Sequence, residues 1–557
     1  NISTDMEYAA PLTLHEKVLA EVICSVLKSD SVNMLDNFFN IGGDSISAIY
    51  IVSELEEKGY RLHVSDIMQS NTLSDVAKAM KSESVIEEYE QGEVNGFIPF
   101  TPIMRAFSAE SSSIPEDFVH TCVIPADCDE STAKKVMDVL VAHHDILRGT
   151  FTDDGIEIHP SAERKAYSFT SVCIEDEEKA MEFLKKPSIE DGKLVNAVFC
   201  RTANGNLIGI TVHHFLIDLV SWEVIMKDFK TAVAMLKNNE EASLPSKTAS
   251  FVLWAEVLRE YSGSISEESR KYKNTVDGLL DNAKPLYLNG EKQEAAEEFS
   301  YTFDESVSYS LSNKVNNAYG TRINEVLLTA LGLAAGELAD SPVGIMVETH
   351  GRAELHKPIA TERTVGWFTS CYPVVIDKSN GISDELISVK ETLRKIQRTG
   401  IDYLLLSQKF HKNADVIFNF YKSGGADKSD GADFSAFNAE KSVFPGKINV
   451  NCFIIDDALT VKISVPEGRH IQNIGKMLGE EFIKQVGRLV ELCISTDNVI
   501  KTRSDFSDKE LTDGELEELK TLFDDADHLK SVIEKLSSAA RGKRTEIVRN
   551  ALARDID

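Results

Sequence analysis

Two short stretches of this 557-residue sequence hold side chains whose types and spacing can do chemistry. The first, HHFLIDLVSW at 213–222, sets His213 and His214 close to Asp218, Ser221 and Trp222. It follows an apolar run, LIGITV (207–212), and leads into a helix-like run, WEVIMKDFKTAVAML (222–236). A strand-to-helix junction puts side chains at the edge of a sheet, where a cleft can present an imidazole to a substrate as acid or base. The same residues also allow a zinc reading, but adjacent histidines point apart on a strand and no third nitrogen ligand is nearby, so no metal is expected. The second stretch, DNFFNIGGDSISAI at 36–49, places Asp44 and Ser45 after a glycine pair at the start of a helix. A hydroxyl there lies beside unpaired N–H groups at the positive end of a helix dipole, which suits a phosphodiester. Spacing alone fits a plain capping serine at least as well. A second histidine pair, His143 and His144 in VAHHDILRGTF, reads as structural and mid-helix.

The elements that must position these residues fall into two groups. Over the first 80 or so residues, Leu14, Val18, Leu19, Val22, Ile23 and Val26 recur at three and four, which predicts a helix from Leu14 to Leu27. Ile46, Ile49, Val52 and Leu55 predict a second helix, capped by Asp44 or Ser45 and ended by Gly59. Leu73, Val76, Ala77 and Met80 predict a last one behind Asn71 or Thr72. The polar, acidic KSESVIEEYEQGEVNG (81–96) reads as a linker. From Phe97 onward helical stretches alternate with strand-like runs at 207–212, 343–348, 372–376, 415–420 and 459–465, an α/β pattern. That span is too long for one ordinary core, so two lobes are expected, dividing between about 235 and 300. The last 30 residues, from His528, read as helical and basic.

Composition narrows the function. Fifty-nine Lys and Arg against 90 Asp and Glu leave a net charge of −31, with no basic stripe for nucleic acid or anionic membrane surfaces. No apolar run reaches the ~18 residues of a membrane span; Val326–Leu338 is the nearest. The amino terminus lacks a basic region followed by an apolar one, and the eight cysteines form no C-x-x-C pair. Reduced thiols in a cytoplasmic protein are expected. A start without Met and an abrupt end point to a piece of something larger.

Residues 10–82 resemble a peptidyl carrier domain of a nonribosomal peptide synthetase, whose signature is an aromatic pair followed by L-G-G-[HD]-S-[LI]. Phe38, Phe39, Ile41, Gly42, Gly43, Asp44, Ser45 and Ile46 match it, with Ile41 in place of leucine. The resemblance implies a small four-helix fold and a 4′-phosphopantetheine arm on Ser45, flanked by Asp44. The GGDSI form resembles carriers that feed an epimerization domain.

HHFLIDLVSW in turn resembles the H-H-x-x-x-D-G signature of the condensation superfamily, with the S-W extension of its epimerization branch. FTPIMRAF (100–107), HHDILRGTF (143–151), VETHGRAE (347–354), RTVGWFTSCYPV (363–374), IFNF (417–420) and SDFSDKELTDGELEEL (504–519) match further family motifs in order. The resemblance implies a two-lobed α/β domain over 97–525, each lobe like chloramphenicol acetyltransferase, forming a V around a central tunnel. Its lobes are expected at about 97–275 and 276–525, between an upstream linker (1–9), an interdomain linker (83–96) and a docking or linker tail (526–557). By family match His214 and Glu348 are the proton-transfer pair and Asn419 the donor to a developing enolate oxygen. Asp218 is expected to hold the loop by pairing with Arg352, with His213, Ser221, Trp222 and Trp367 as structural neighbours. A rival role for Glu348 is that of ion-pair partner to Arg352.

The implied activity is epimerization at Cα of an aminoacyl or peptidyl thioester. The alternatives are a condensation domain, which shares His214, and a docking module without turnover. Implied partners are a carrier-bound thioester, an upstream adenylation domain, a downstream condensation domain and a phosphopantetheinyl transferase, with no nucleic acid and no membrane. Three departures stand out: Leu219 and Thr349 replace family glycines, and Phe420 replaces a tyrosine. Tyr421 lies one place along, on the face expected to point away.

Overall fold

The computed structural model describes residues 8–505 apart from 40, 83–88, 111–113, 116–117, 164, 186–191, 287–295, 423–443, 445, 456–457, 467–468 and 497–498. The expected tail at 526–557 and most of the closing motif, from 506, lie outside the described residues.

Among the described residues four helices form the amino-terminal unit: α1 (Leu14–Leu27), α2 (Ser45–Glu57), α3 (Val64–Gln69) and α4 (Leu73–Ala79). Thr13 caps α1 reciprocally. Its hydroxyl accepts the Glu16 N–H at 3.2 Å, and the Glu16 carboxylate accepts the Thr13 N–H at 2.9 Å. Asp44 caps α2, its Oδ1 accepting the N–H groups of Ile46 (3.0 Å) and Ser47 (2.7 Å). The buried stripes of the helices, including Leu19, Ile23, Val52, Leu55, Leu73 and Val76, close into a core separate from that of the rest of the chain. The short α3 buries only Ile67, too little for a readable stripe.

The remainder is built on two main sheets. In the first lobe, β1 (Val119–Pro125), β2 (Ser168–Cys173), β3 (Val195–Arg201) and β4 (Asn206–His213) assemble in the order β1-β4-β3-β2. In the second, β5 (Ala296–Thr302), β6 (Val343–Thr349), β7 (Ser370–Ile376), β8 (Val416–Lys422), β9 (Ile448–Ile455) and β10 (Ala458–Pro466) run β5-β10-β9-β8-β6-β7. All five strand-like runs read from the sequence fall on these strands. The apolar stretch around Val326–Leu338 belongs to the helix Ile323–Ala339, which packs between the helix Arg469–Ser495 and strands β6 and β7. It is apolar nearly all round because it is buried nearly all round. No described helix is long and apolar enough to cross a membrane.

The His143–His144 pair corrects a sequence expectation: it ends the helix Glu130–His143 instead of lying within it. His144 Nε2 lies 3.0 Å from Asp228 Oδ2, and Arg363 pairs with the other oxygen of Asp228, so the polar cluster is held together internally.

After β6 the chain turns sharply at Gly351, whose φ of +64° suits glycine and whose added Cβ would lie 1.8 Å from the Phe368 carbonyl oxygen. Gly351→Ala is expected to cost about 3 kcal/mol or more through the combined strain and overlap. A urea unfolding midpoint unchanged from wild type would contradict this tight turn.

Candidate active site

The site starts from a buried ion pair between the lobes. Asp218 caps the helix Leu219–Lys237: its Oδ1 accepts the Ser221 N–H at 2.8 Å and the Ser221 hydroxyl at 2.7 Å. From the second lobe, Arg352 Nη2 donates to Asp218 Oδ1 (2.9 Å) and Oδ2 (3.2 Å), and the Phe368 N–H reaches Oδ2 at 3.2 Å. Arg352 also donates to the carbonyls of Thr361 and Thr364 and stacks on the Phe368 ring at 3.9 Å. The Ser221 hydroxyl accepts the Gly366 N–H at 3.1 Å. Arg352 therefore belongs to Asp218, and among the described residues it forms no ion pair with Glu348.

That pair fixes the turn carrying the histidines. His213 ends β4 and points inward, its Nε2 3.1 Å from the Pro115 carbonyl and its Nδ1 accepting the Phe215 N–H at 3.2 Å. It is a satisfied core histidine. His214 begins the next turn and faces the other way, with Nδ1 2.7 Å from the Ile217 carbonyl. A carbonyl only accepts, so Nδ1 carries the proton and Nε2 keeps its lone pair. The ring lies against those of His120 (3.9 Å), Trp367 (4.6 Å) and Phe118 (4.8 Å). Burial holds His214 down at about 4, so it is neutral at pH 7. Trp222 and Trp367 are both fully buried, Trp222 in the shared core and Trp367 against His214.

Glu348 and Asn419 come from neighbouring strands. β6 and β8 are parallel with Val347 opposite Phe418, so the next residues, Glu348 and Asn419, fall at one level. Burial alone raises the Glu348 carboxyl to about 8, so it holds its proton at pH 7. Among the described residues neither side chain hydrogen-bonds or ion-pairs with another side chain.

His214, Glu348 and Asn419 border one cavity of about 250 Å³, and Asp44 and Ser45 of the helical unit border it too. Leu219, Thr349, Phe420 and Tyr421 also line it. The Tyr421 expectation needs correction: at the end of β8 it reaches the cavity wall, and its hydroxyl donates to Glu223 Oε1 at 2.8 Å. The helical unit is seated here by Glu57, which meets Lys227 (2.7 Å) and Arg363 (3.2 Å), and by Ser65, which donates to Glu354 (2.7 Å). Sequence reasoning missed His120, His350, Glu223 and Arg322, all of which lie at or beside this cavity. His350 stands within the VETHGRAE motif, which could have found it, whereas His120, Glu223 and Arg322 carry no motif spacing and meet the site only through tertiary packing.

Asp218→Ala leaves the Arg352 charge buried without its carboxylate and is expected to cost about 3–5 kcal/mol, whereas replacing both members with apolar residues should cost less. Urea unfolding of the single and double variants measures the difference. Unchanged stability of Asp218→Ala would remove the pair's positioning role.

A phosphopantetheine attachment site family matches residues 17–80, which indicates a covalently attached 4′-phosphopantetheine. Surfactin synthase subunit 1 of Bacillus subtilis (strain 168) is 28% identical, the match covering 93% of this chain and 15% of that protein. Gramicidin S synthase 1 of Brevibacillus brevis is also 28% identical, over 93% of this chain and 51% of its own length. The chain thus spans only part of these curated relatives. The epimerization domain from the third module of tyrocidine synthetase B superposes with a TM-score of 0.62 at 25% identity, covering 73% of this chain and all of that one. The first condensation domain of the CDA synthetase shares the two-lobed α/β fold, with a TM-score of 0.53 at 13% identity over 76% of this chain and 99% of its own. The Condensation domain family matches residues 103–512, after the carrier in sequence, and the chain belongs to that family as it occurs, joined to a carrier domain, in nonribosomal peptide synthetases.

Proposed function

We propose that this chain epimerizes the Cα of an aminoacyl or peptidyl thioester carried on Ser45, giving a D/L mixture during nonribosomal peptide synthesis. The observation that carries the reading is the single cavity bordered at once by Ser45, His214, Glu348 and Asn419. The likeness to a solved epimerization domain supports it.

Ser45 opens α2 at the cavity wall, so its hydroxyl fits the attachment point of the arm. The arm, when bound, supplies a thioester whose carbonyl acidifies the neighbouring Cα–H. The rest falls to the protein's own side chains. His214, with its proton on Nδ1, takes the Cα proton on Nε2. Glu348, protonated by virtue of its burial, returns one from its carboxyl. Asn419 donates a hydrogen bond from its amide to the substrate carbonyl oxygen as negative charge builds there. After one inversion the histidine is charged and the carboxylate ionised, the arrangement needed for the reverse step. Which enantiomer faces the imidazole follows from how the substrate seats. The modular partners of this reading are an upstream adenylation domain, a downstream condensation domain and a phosphopantetheinyl transferase that loads Ser45.

Loading Ser45 with an L-aminoacyl pantetheine in D2O tests the reading through α-deuterium uptake and D-product. His214→Ala and Glu348→Gln are each expected to lower D-product formation by ~10²–10⁴-fold. Amide formation with an added acceptor, without deuterium uptake, would instead identify a condensation domain.

The pH profile follows from the same two groups. Below about 4 His214 gains a proton and loses its lone pair; above about 8 Glu348 ionises and has no proton to give. The rate should therefore hold between these values and fall on both sides. A rate still rising above pH 9 would contradict the roles assigned to the pair.

A further inference from the structure

Where the carrier meets the second lobe, one cation, Arg322, has no ion-pair partner among the described residues. Arg322 immediately precedes the helix Ile323–Ala339, and its guanidinium carbon lies 3.7 Å from the centre of the Phe39 ring of the carrier. Its Nε is buried without a hydrogen-bond partner, and among the described residues no carboxylate lies within ion-pair distance. Two nearby acids, Glu325 and Asp44, favour its charge without pairing with it directly. Glu325 Oε1 takes Arg394 at 3.1 Å while Oε2 takes the Arg322 backbone N–H at 2.7 Å, and Asp44 Oδ1 serves the α2 cap. A half-buried guanidinium with an unsatisfied Nε is costly unless an anion completes it.

The cavity wall that holds Arg322 also holds Ser45 and Asp44. We infer that Arg322 binds the phosphodiester of the arm on Ser45, from the opposite side of the interface to the serine itself. Arginine presents a planar fork of donors that matches two phosphate oxygens, and the positive end of the helix Ile323–Ala339 adds to the field. Asp44, next to Ser45, carries the same sign as the phosphate, so the compensating charge has to come from across the interface. The arm then acts as an electrostatic key: the loaded carrier completes Arg322, and the unloaded carrier leaves it without an ion-pair partner. This inference rests on the reading that Ser45 bears the arm, and it is independent of the chemistry at His214 and Glu348.

The test compares the whole chain before and after loading with phosphopantetheine alone, no amino acid attached. Amide hydrogen exchange in the peptide spanning 322–326 is expected to slow about tenfold on loading, the effect of a charge-assisted contact on local opening. The phosphorus resonance of the loaded chain should shift between wild type and Arg322→Ala. Arg322→Lys should keep part of both effects, since it keeps the charge and loses the fork. Identical exchange in unloaded and loaded wild type would overturn the inference and requires no variant. So would an Arg322→Ala chain that keeps the loading-dependent protection. A chain that shows these effects but takes up no α-deuterium would overturn the epimerase reading and leave Arg322 standing. Refusal of Ser45 to accept the arm would overturn both.

Discussion

The site depends on the buried pair between Asp218 and Arg352. Desolvating two charges costs several kcal/mol, and such a pair is favourable only when geometry and further hydrogen bonds fill the remaining donor and acceptor positions. Here they do so from both lobes. Ser221 and its N–H serve one carboxylate oxygen, the Phe368 N–H serves the other, and the carbonyls of Thr361 and Thr364 take up Arg352. The helix Leu219–Lys237, the turn at His214 and the loop after β6 are thereby fixed relative to one another. The carbonyl that orients the His214 ring belongs to Ile217, one residue before Asp218. A shift of the aspartate would carry the imidazole with it.

Two of the ionisable groups at the cavity, His214 and Glu348, are uncharged near neutral pH. An acid and a base that face each other in water would exchange protons or ionise, but burial pushes His214 down and Glu348 up, so both are neutral over the same pH range. Carrier docking is part of this condition, because the carrier's own residues close one wall. Its surface charge is anchored deep in the first lobe: Glu57 meets Arg363, Arg363 meets Asp228, and Asp228 meets His144. The carrier is thus placed by a chain of contacts that also stiffens the lobe presenting His214.

Much of this was legible in the sequence where the pattern is local. The α1 stripe, the Asp44 cap and the apolar runs of β4, β6 and β8 follow from periodicity and cap chemistry, because those properties reside within a few residues. The placing of Ser45 and His214 came from motifs. What stayed hidden is set by packing between distant segments. Arg322 and Phe39 are far apart in sequence, as are Tyr421 and Glu223, and neither contact leaves a periodic trace. The face rule for strands misplaced Tyr421 because the residue lies at a strand end, where the neighbouring carrier and helix Leu219–Lys237 supply a wall on the side the rule leaves to the core.

The departures from the family pattern sort by backbone conformation. Leu219 is the first residue of a helix and Thr349 the last of a strand, and neither adopts positive φ. Glycine's conformational freedom is therefore not needed at either place, and a side chain there changes the cavity wall without straining the chain. Thr349 even gains a fixed role, its hydroxyl donating to the Thr399 carbonyl at 2.6 Å. Gly351, two residues on, is the position in this turn where φ is +64° and any Cβ would strike the Phe368 carbonyl, and there the glycine is kept. Substitution at Leu219, Thr349 and Phe420 thus alters the shape of the cavity while the backbone that carries His214 and Glu348 keeps its course. A reshaped cavity wall on an unstrained backbone, with His214 and Glu348 still bordering the cavity, is the physical consequence of that pattern.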